Sequence, residues 1–354
     1  MEPQARRGPR EPVLKTKDFS FELPDELIAQ APPPERGLSR LLVIDPATGS
    51  RDHRAVADLP SLVSPGTLMV FNDTRVRKAR VFGRTAHGGQ VEVVFLTPLP
   101  DGRWECLVNK AKKLKQGQVL DFPGGVKAAV ETEGGNVRTL AFDPPATDAW
   151  IEVHGHLPLP PYIKRPDSDE DAERYQTVYA RQTGSAAAPT AGLHFTTELL
   201  ESLKEAGAEL AFVTLEVGLG TFLPVRVDNV ADHTMHRERY DLSPQTAAAL
   251  NRARTEGRPV LAVGTTSLRT LEAAWTPQGF AAGQGSTALF ITPGYRFQAV
   301  DQLFTNFHTP ESTLLMLACA FAGTEFLLES YRQAVEARYR FFSYGDAMLI
   351  RSRS

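Results

Sequence analysis

The first run able to do chemistry is Ala188-Pro189-Thr190-Ala191-Gly192-Leu193-His194-Phe195. Small residues such as Gly192 let backbone approach a ligand closely, and N–H groups at a helix start hold anionic or polar groups. His194 adds a group that takes or gives a proton near neutral pH. A plain loop with a capping histidine has the same letters.

Asp232-His233-Thr234-Met235-His236-Arg237-Glu238 packs two imidazoles and a carboxylate together. Those types can ligate a metal, but the spacing is not HExxH and no cysteine joins them. Acid–base work or polar organisation of a substrate site by His233, His236 and Glu238 fits better, and a metal site is the lesser alternative. Gly264-Thr265-Thr266-Ser267-Leu268-Arg269 follows an apolar run and opens a helical one. Hydroxyls and N–H groups at such a junction suit a carboxylate or phosphate. Neither the P-loop nor the GxGxxG spacing is present, and an ordinary crossover helix remains open.

Thr305-Asn306-Phe307-His308-Thr309 is a polar turn before an apolar helix. Tyr339-Arg340-Phe341-Phe342-Ser343-Tyr344-Gly345-Asp346 brings aromatics and one carboxylate near the C-terminus. Those aromatics either stack on a base or fill a core. Arg36, Arg40, Asn72 and Arg75 are polar groups early in the chain that can contact phosphates or make structural ion pairs.

The elements that must position these groups change character along the chain. Residues 18–30 read as a short extended piece and then a helix, and 41–44 as a buried strand. Between 67 and 142, short β-rich runs alternate with turn signals such as His87-Gly88-Gly89 and Pro123-Gly124-Gly125, which predicts a small antiparallel barrel or sandwich. After 151, strands at 209–217, 259–264 and 287–291 alternate with helices at 198–206, 243–255, 267–275, 312–322 and 324–339. That rhythm predicts a parallel or mixed sheet covered by helices. The expected fold is a larger discontinuous α/β domain with a mixed sheet (18–56 and 153–354), interrupted by a small all-β barrel-like domain (57–152). Residues 1–17, basic and rich in proline, are expected to form a disordered tail.

Composition excludes several classes. Cys106 and Cys319 cannot build a disulfide framework or a zinc cluster, which suits a reducing cytoplasm. Residues 1–17 have no apolar core for a signal peptide, and the longest apolar run, 314–322, is about half the ~20 residues a membrane helix needs. Net charge is −3, yet Arg6, Arg7, Arg10, Lys15 and Lys17 load the N-terminus. Arg103, Lys110, Lys112, Lys113, Lys115 and Lys127 load one later stretch. Such patches can follow a phosphate backbone, or they are simply solvated.

Taken together, the segments DFSFELPDELIAQ (18–30), FNDTRV (71–76), LPLPPYIKRPD (157–167), YQTVYA (175–180), APTAGLHF (188–195), VGLGTFLPVRVD (217–228), DHTMHRE (232–238), AVGTTSLRTLE (262–272), TNFHTPESTLLML (305–317) and YRFFSYGDAM (339–348) resemble the S-adenosylmethionine:tRNA ribosyltransferase-isomerase family of queuosine biosynthesis. They run in that family's order and cover nearly all of the chain after residue 17. The resemblance implies an α/β domain with an inserted β-barrel. It implies transfer and isomerisation of the ribosyl part of S-adenosylmethionine onto 7-aminomethyl-7-deazaguanine at the tRNA wobble position. The product is epoxyqueuosine-tRNA, with adenine and methionine released. S-adenosylmethionine is then a consumed substrate, and neither a cofactor nor a metal is expected. The expected partners are the precursor tRNA and S-adenosylmethionine, with no membrane, for a cytoplasmic monomer.

The implied mechanism needs a base for the carbon beside the sulfonium, a proton donor for adenine, and a pocket orienting three reacting parts. The residue types point to His194, His233 and His236 for acid–base roles, with Glu238 and Asp346 as orienting or proton-accepting carboxylates. Thr265, Thr266, Ser267 and Arg269 are candidates for the methionine carboxylate or a phosphate. Asn306, His308 and Tyr344 are candidates for the nucleoside pocket, and Arg36, Arg40, Asn72, Arg75, Pro189, Thr190 and Gly192 for further substrate contacts. The sequence departs from the family at Glu216, where histidine is usual, and at Thr309, where leucine is usual. Competing readings are another user of S-adenosylmethionine, such as an RNA methyltransferase, and a non-catalytic tRNA binder.

Overall fold

Two kinds of strand pattern build two bodies. In the computed structural model, which describes residues 13–109, 111–132, 135–218 and 225–353, Leu68–Asn72 and Val260–Val263 are buried on both faces. Unbroken apolar runs belong in the middle of a parallel sheet. Arg103–Val108 and Val137–Asp143 alternate between buried and open positions, as a sheet with one packed face requires.

The first kind forms a nine-stranded mixed sheet in the order Gly283–Thr287, Glu238–Leu242, Glu209–Leu215, Leu68–Asn72, Val260–Val263, Gln302–Asn306, Ala347–Ile350, Arg40–Asp45, Ser50–Ala55. The four strands from Glu209–Leu215 to Gln302–Asn306 run parallel, so their carboxyl ends share one edge. Ala347–Ile350 runs the other way beside Gln302–Asn306, pairing Asn306 with Ala347. Residues just before Ala347 therefore reach that same edge. The second kind closes a barrel of six strands between Arg80 and Asp143. Closure leaves no open edge, and Phe95, Trp104, Cys106, Leu120 and Phe142 fill the inside. Helix Asp148–His154 packs Ile151 against that core.

Helices cover the large sheet. Ser243, Thr196 and Ser312 cap three of them by accepting from Thr246 N, Leu199 N and Leu315 N, each at 3.1 Å. Helix Thr313–Ala322 is apolar nearly all round, so it is buried between its neighbours. No single helix among the described residues is long and apolar enough to cross a membrane.

The mixed sheet and the barrel follow the expected fold class, with several corrections. Strand Leu68–Asn72 was expected in the module at 57–152; it sits inside the large sheet, and its unbroken apolar run is the reason. Residues 18–30 hold the end of the short 3-10 turn Thr16–Phe19, the short 3-10 turn Asp25–Leu27 and extended chain, not an α-helix. The strand expected at 287–291 lies at Gly283–Thr287. Of the tail, 1–12 lies outside the described residues, together with Lys110. Residues 15–17 are ordered: Lys15 bridges to Asn229, and buried Thr16 donates to Val227 O at 2.6 Å. Lys112, Lys113, Lys115 and Lys127 are exposed on the barrel, while Arg103 pairs with Asp101 and Glu131.

Candidate functional site

The shared carboxyl edge of the parallel strands carries a cleft of about 270 Å³. Open α/β sheets place ligands at this edge because loops and helix starts converge there. Pro189 and Thr190 form one wall, Thr265 and Thr266 the next, and Asn306 and His308 the third. Phe342, Ser343 and Tyr162 close the fourth side. Residues 188–191, 264–266, 305–309 and 342–343, all from segments named from sequence, thus meet in one cleft.

Helix Thr265–Ala274 opens into this cleft. Gly264 stands before it at φ 93, a left-handed conformation that glycine adopts without strain, and no side chain caps the helix. Its first amides are left for an occupant. Thr266 Oγ1 is buried there with no partner. Asn306 Nδ2 donates to His194 Nε2 at 3.1 Å and to Phe342 O at 3.0 Å, while Asn306 Oδ1 has no partner. Burial, and then the Arg36 charge, push the His194 imidazole down to about 4. Burial also pushes His308 down to about 3; its Nε2 lies 3.0 Å from Thr305 Oγ1, and its backbone N donates to Tyr331 Oη. Both imidazoles are neutral at pH 7.

Tyr162 and Phe342 pack with ring centres 4.6 Å apart and planes tilted by 54°. Tyr162 Oη meets Ser343 Oγ at 2.5 Å, and burial pushes that phenol up to about 12. Phe342 at φ 73 and Glu311 at φ 58 both hold left-handed backbone while lining the cleft. Each costs on the order of 1–3 kcal/mol, a cost that clusters at functional sites. Sequence reasoning assigned no role to Tyr162, Glu311 or Ser343. Tyr162 lies in the matched segment 157–167 and Glu311 in 305–317, which was the signal to follow.

Other candidates lie elsewhere. His194 touches the cleft only through Asn306. Its ring borders a separate small recess with Tyr344. Tyr344 donates to Asp171 Oδ1 at 2.7 Å. Burial opposes charge on Asp171, but hydrogen bonds from Arg165, Tyr344 and Ser168 win and hold it down at about 2. Asp346 accepts from the backbone N–H groups of Arg40 and Arg340 at 2.9 and 2.8 Å, with burial raising its pKa. It is a clamp between chain segments and does not line the cleft. Arg36 donates to Leu193 O, and Arg40 stacks on Tyr339 while donating to Ala337 O. Both brace the backbone behind the cleft.

Glu238 is not placed for proton transfer either. It forms a buried ion pair with Arg269 at 2.5 Å and accepts from Gly218 N. His233 packs edge-on against Phe290 and His236 is exposed; neither lines the cleft. They precede strand Glu238–Leu242 and are carried to the surface. Among the described residues no three metal-binding side chains converge. Ser267 donates to Val263 O inside its helix. Asn72 is spent on Leu215 O, Leu215 N and Thr74 N, tying two strands together. Arg75 is exposed on the short strand Thr74–Val76. Gly192 is glycine because a Cβ there collides with Tyr179 and Thr177. Glu216 turns away from the cleft to pair with Arg239 at 3.1 Å, and the neighbouring Val217 faces in.

This architecture defines a class: an α/β enzyme with an inserted β-barrel and a small-molecule cleft at the carboxyl ends of its parallel strands. A family model described as "Queuosine biosynthesis protein" matches residues 16–350. An S-adenosylmethionine:tRNA ribosyltransferase-isomerase from Anaeromyxobacter sp. (strain Fw109-5) is 53% identical over 95% of this chain and 99% of its own. One from Treponema denticola is 48% identical over 95% and 100%. The crystal structure of S-adenosylmethionine tRNA ribosyltransferase from Thermotoga maritima matches with a TM-score of 0.54 and 36% identity, over 94% of this chain and 99% of that one. The chain belongs to the queuosine biosynthesis family of S-adenosylmethionine:tRNA ribosyltransferase-isomerases.

Proposed function

We propose that this chain, a cytoplasmic monomer, transfers and isomerises the ribosyl part of S-adenosylmethionine onto 7-aminomethyl-7-deazaguanine at the tRNA wobble position. Epoxyqueuosine-tRNA forms, and adenine and methionine leave. S-adenosylmethionine is consumed and no cofactor takes part. The observation that carries this reading is the cleft. It joins an uncapped helix start and two unpartnered buried oxygens to an aromatic wall, within a family of relatives named for this reaction.

The uncapped start of Thr265–Ala274 suits the methionine carboxylate. Tyr162 and Phe342 offer faces for the adenine ring. A base must remove a proton from the carbon that the sulfonium acidifies. Adenine then departs, the substrate amine attacks, and epoxide closure expels methionine. Among the described residues, His308, Glu311 and Tyr162 are the ionisable side chains lining the cleft, so the proton transfers fall to them. The exposed lysines of the barrel offer charge for tRNA phosphates.

The test is to incubate the protein with S-adenosylmethionine and tRNA bearing the deazaguanine precursor. Adenine and free methionine in equal amounts are expected. S-adenosylhomocysteine instead would mean methyl transfer, and tRNA binding without turnover would mean a binding protein.

A further inference from the structure

Asn306 ends strand Gln302–Asn306 and is 3% exposed. Its two amide atoms are hard to tell apart by shape, but its neighbours decide. Phe342 O can only accept, so the atom 3.0 Å away from it is Nδ2. Flipping the amide would set oxygen against oxygen. Nδ2 also lies 3.1 Å from His194 Nε2, so that nitrogen accepts and the ring proton sits on Nδ1. Phe342 O and the imidazole therefore hold the amide together in one orientation, and the Nε2 lone pair is already engaged. Oδ1 is left buried without a partner, at the cleft.

A second unpartnered group stands one strand away. Val263 pairs with Phe304, and Gly264 N donates to Phe304 O. Gly264-Thr265-Thr266 and Thr305-Asn306 therefore leave neighbouring parallel strands, spaced about 4.8 Å apart. The first offers uncapped helix amides and Thr266 Oγ1, a hydroxyl without a partner in a residue 8% exposed. Adjacent on one edge are thus a place for an anion and a fixed, uncharged acceptor. An α-amino acid carries an ammonium and a carboxylate on one carbon and matches that pair. Adenine's amine and the aminomethyl group of the base are also N–H donors, but neither is joined to a carboxylate.

Resting on the ribosyl-donor reading above, we propose that this edge is the subsite for the amino-acid end of S-adenosylmethionine. Asn306 Oδ1 accepts from its α-ammonium, and the start of helix Thr265–Ala274 with Thr266 takes its α-carboxylate. His194 is a positioning residue that fixes the Asn306 amide.

Titration calorimetry with S-adenosylmethionine and its analogue lacking the α-amino group tests this on the wild type, N306L, H194F and H194Q. N306L and H194F are expected to weaken S-adenosylmethionine by about 10- to 100-fold, the range for a hydrogen bond to a charged group. The analogue should lose less than about 3-fold, since it lacks the group Asn306 holds. H194Q, whose Oε1 accepts in place of Nε2, should keep the affinity that H194F loses. Equal weakening of both ligands by N306L overturns the assignment. So does unchanged binding by H194Q with turnover down by about 10²- to 10⁴-fold, the mark of a lost acid–base group. Melting curves establish folding; if H194F does not fold, the N306L cycle decides alone. A wild type that binds S-adenosylmethionine but releases no adenine with precursor tRNA counts against ribosyl transfer. A wild type that turns over without coupling between Asn306 and the amino group counts against this subsite alone.

Discussion

Glu238 and Arg269 form an ion pair at 2.5 Å, and both side chains are at most 5% exposed. They join strand Glu238–Leu242 to the helix that opens into the cleft. Removing one partner of such a pair leaves a buried charge without compensation, which costs about 3–5 kcal/mol. E238A should therefore lower the urea midpoint sharply. A catalytic role for Glu238 requires the reverse: lost turnover with the unfolding curve unmoved.

Stability should depend on pH through His194 and His308. Burial lowers both folded-state values, to about 4 and about 3, below the ordinary 6.5. The unfolded chain then binds more protons between those values, so stability rises with pH in that window. It is full above about 6.5 and erodes as pH falls toward 4, by up to about 3 kcal/mol for His194 alone. Chemical unfolding at pH 7 and pH 5 measures this. In H194Q the pH dependence should be shallower, and an unchanged slope would refute burial of a neutral His194.

Thr266 Oγ1 has no protein partner, so T266V should cost the fold little. Its effect should fall on the ligand, with the KM for S-adenosylmethionine raised about 5- to 20-fold, the worth of one hydrogen bond. A large drop in melting temperature with KM unchanged would mean that the hydroxyl serves packing.

Asn72 behaves oppositely. Its amide satisfies Leu215 O, Leu215 N and Thr74 N in the buried middle of the sheet. N72A strands these backbone groups at about 1–3 kcal/mol each when no water reaches them. Melting temperature should fall while the KM for S-adenosylmethionine of the surviving folded fraction stays as in the wild type. A selective KM effect would return Asn72 to the list of ligand contacts.

Much of the fold was legible from local pattern. Ser243 and Pro244 mark a helix start, and Pro244–Thr255 is that helix. Alternation in Arg103–Val108 marks a half-buried strand, and it lies in the barrel. Leu68–Asn72 adjoins the β-rich runs in sequence, but its unbroken apolar letters belong to a strand buried on both faces, and it lies in the large sheet. Ser50–Ala55 escaped notice because SRDHRA is an edge strand with charged, exposed side chains. For the cleft, residues 188–191, 264–266 and 305–309 of the segments marked by sequence line it, while the histidines at 233 and 236 do not.

Sequence by itself therefore determined where helix starts, apolar runs and glycine turns fall and which chemical types they carry, because these are local properties. It could not determine which side chain faces the ligand. His194, Glu238 and Asp346 all look like acid–base groups as letters. Only the tertiary structure supplies Asn306 to His194, Arg269 to Glu238, and the amides of residues 40 and 340 to Asp346. A polar group's role depends on which of its bonds the protein has already made, and those partners come from strands far apart in the chain.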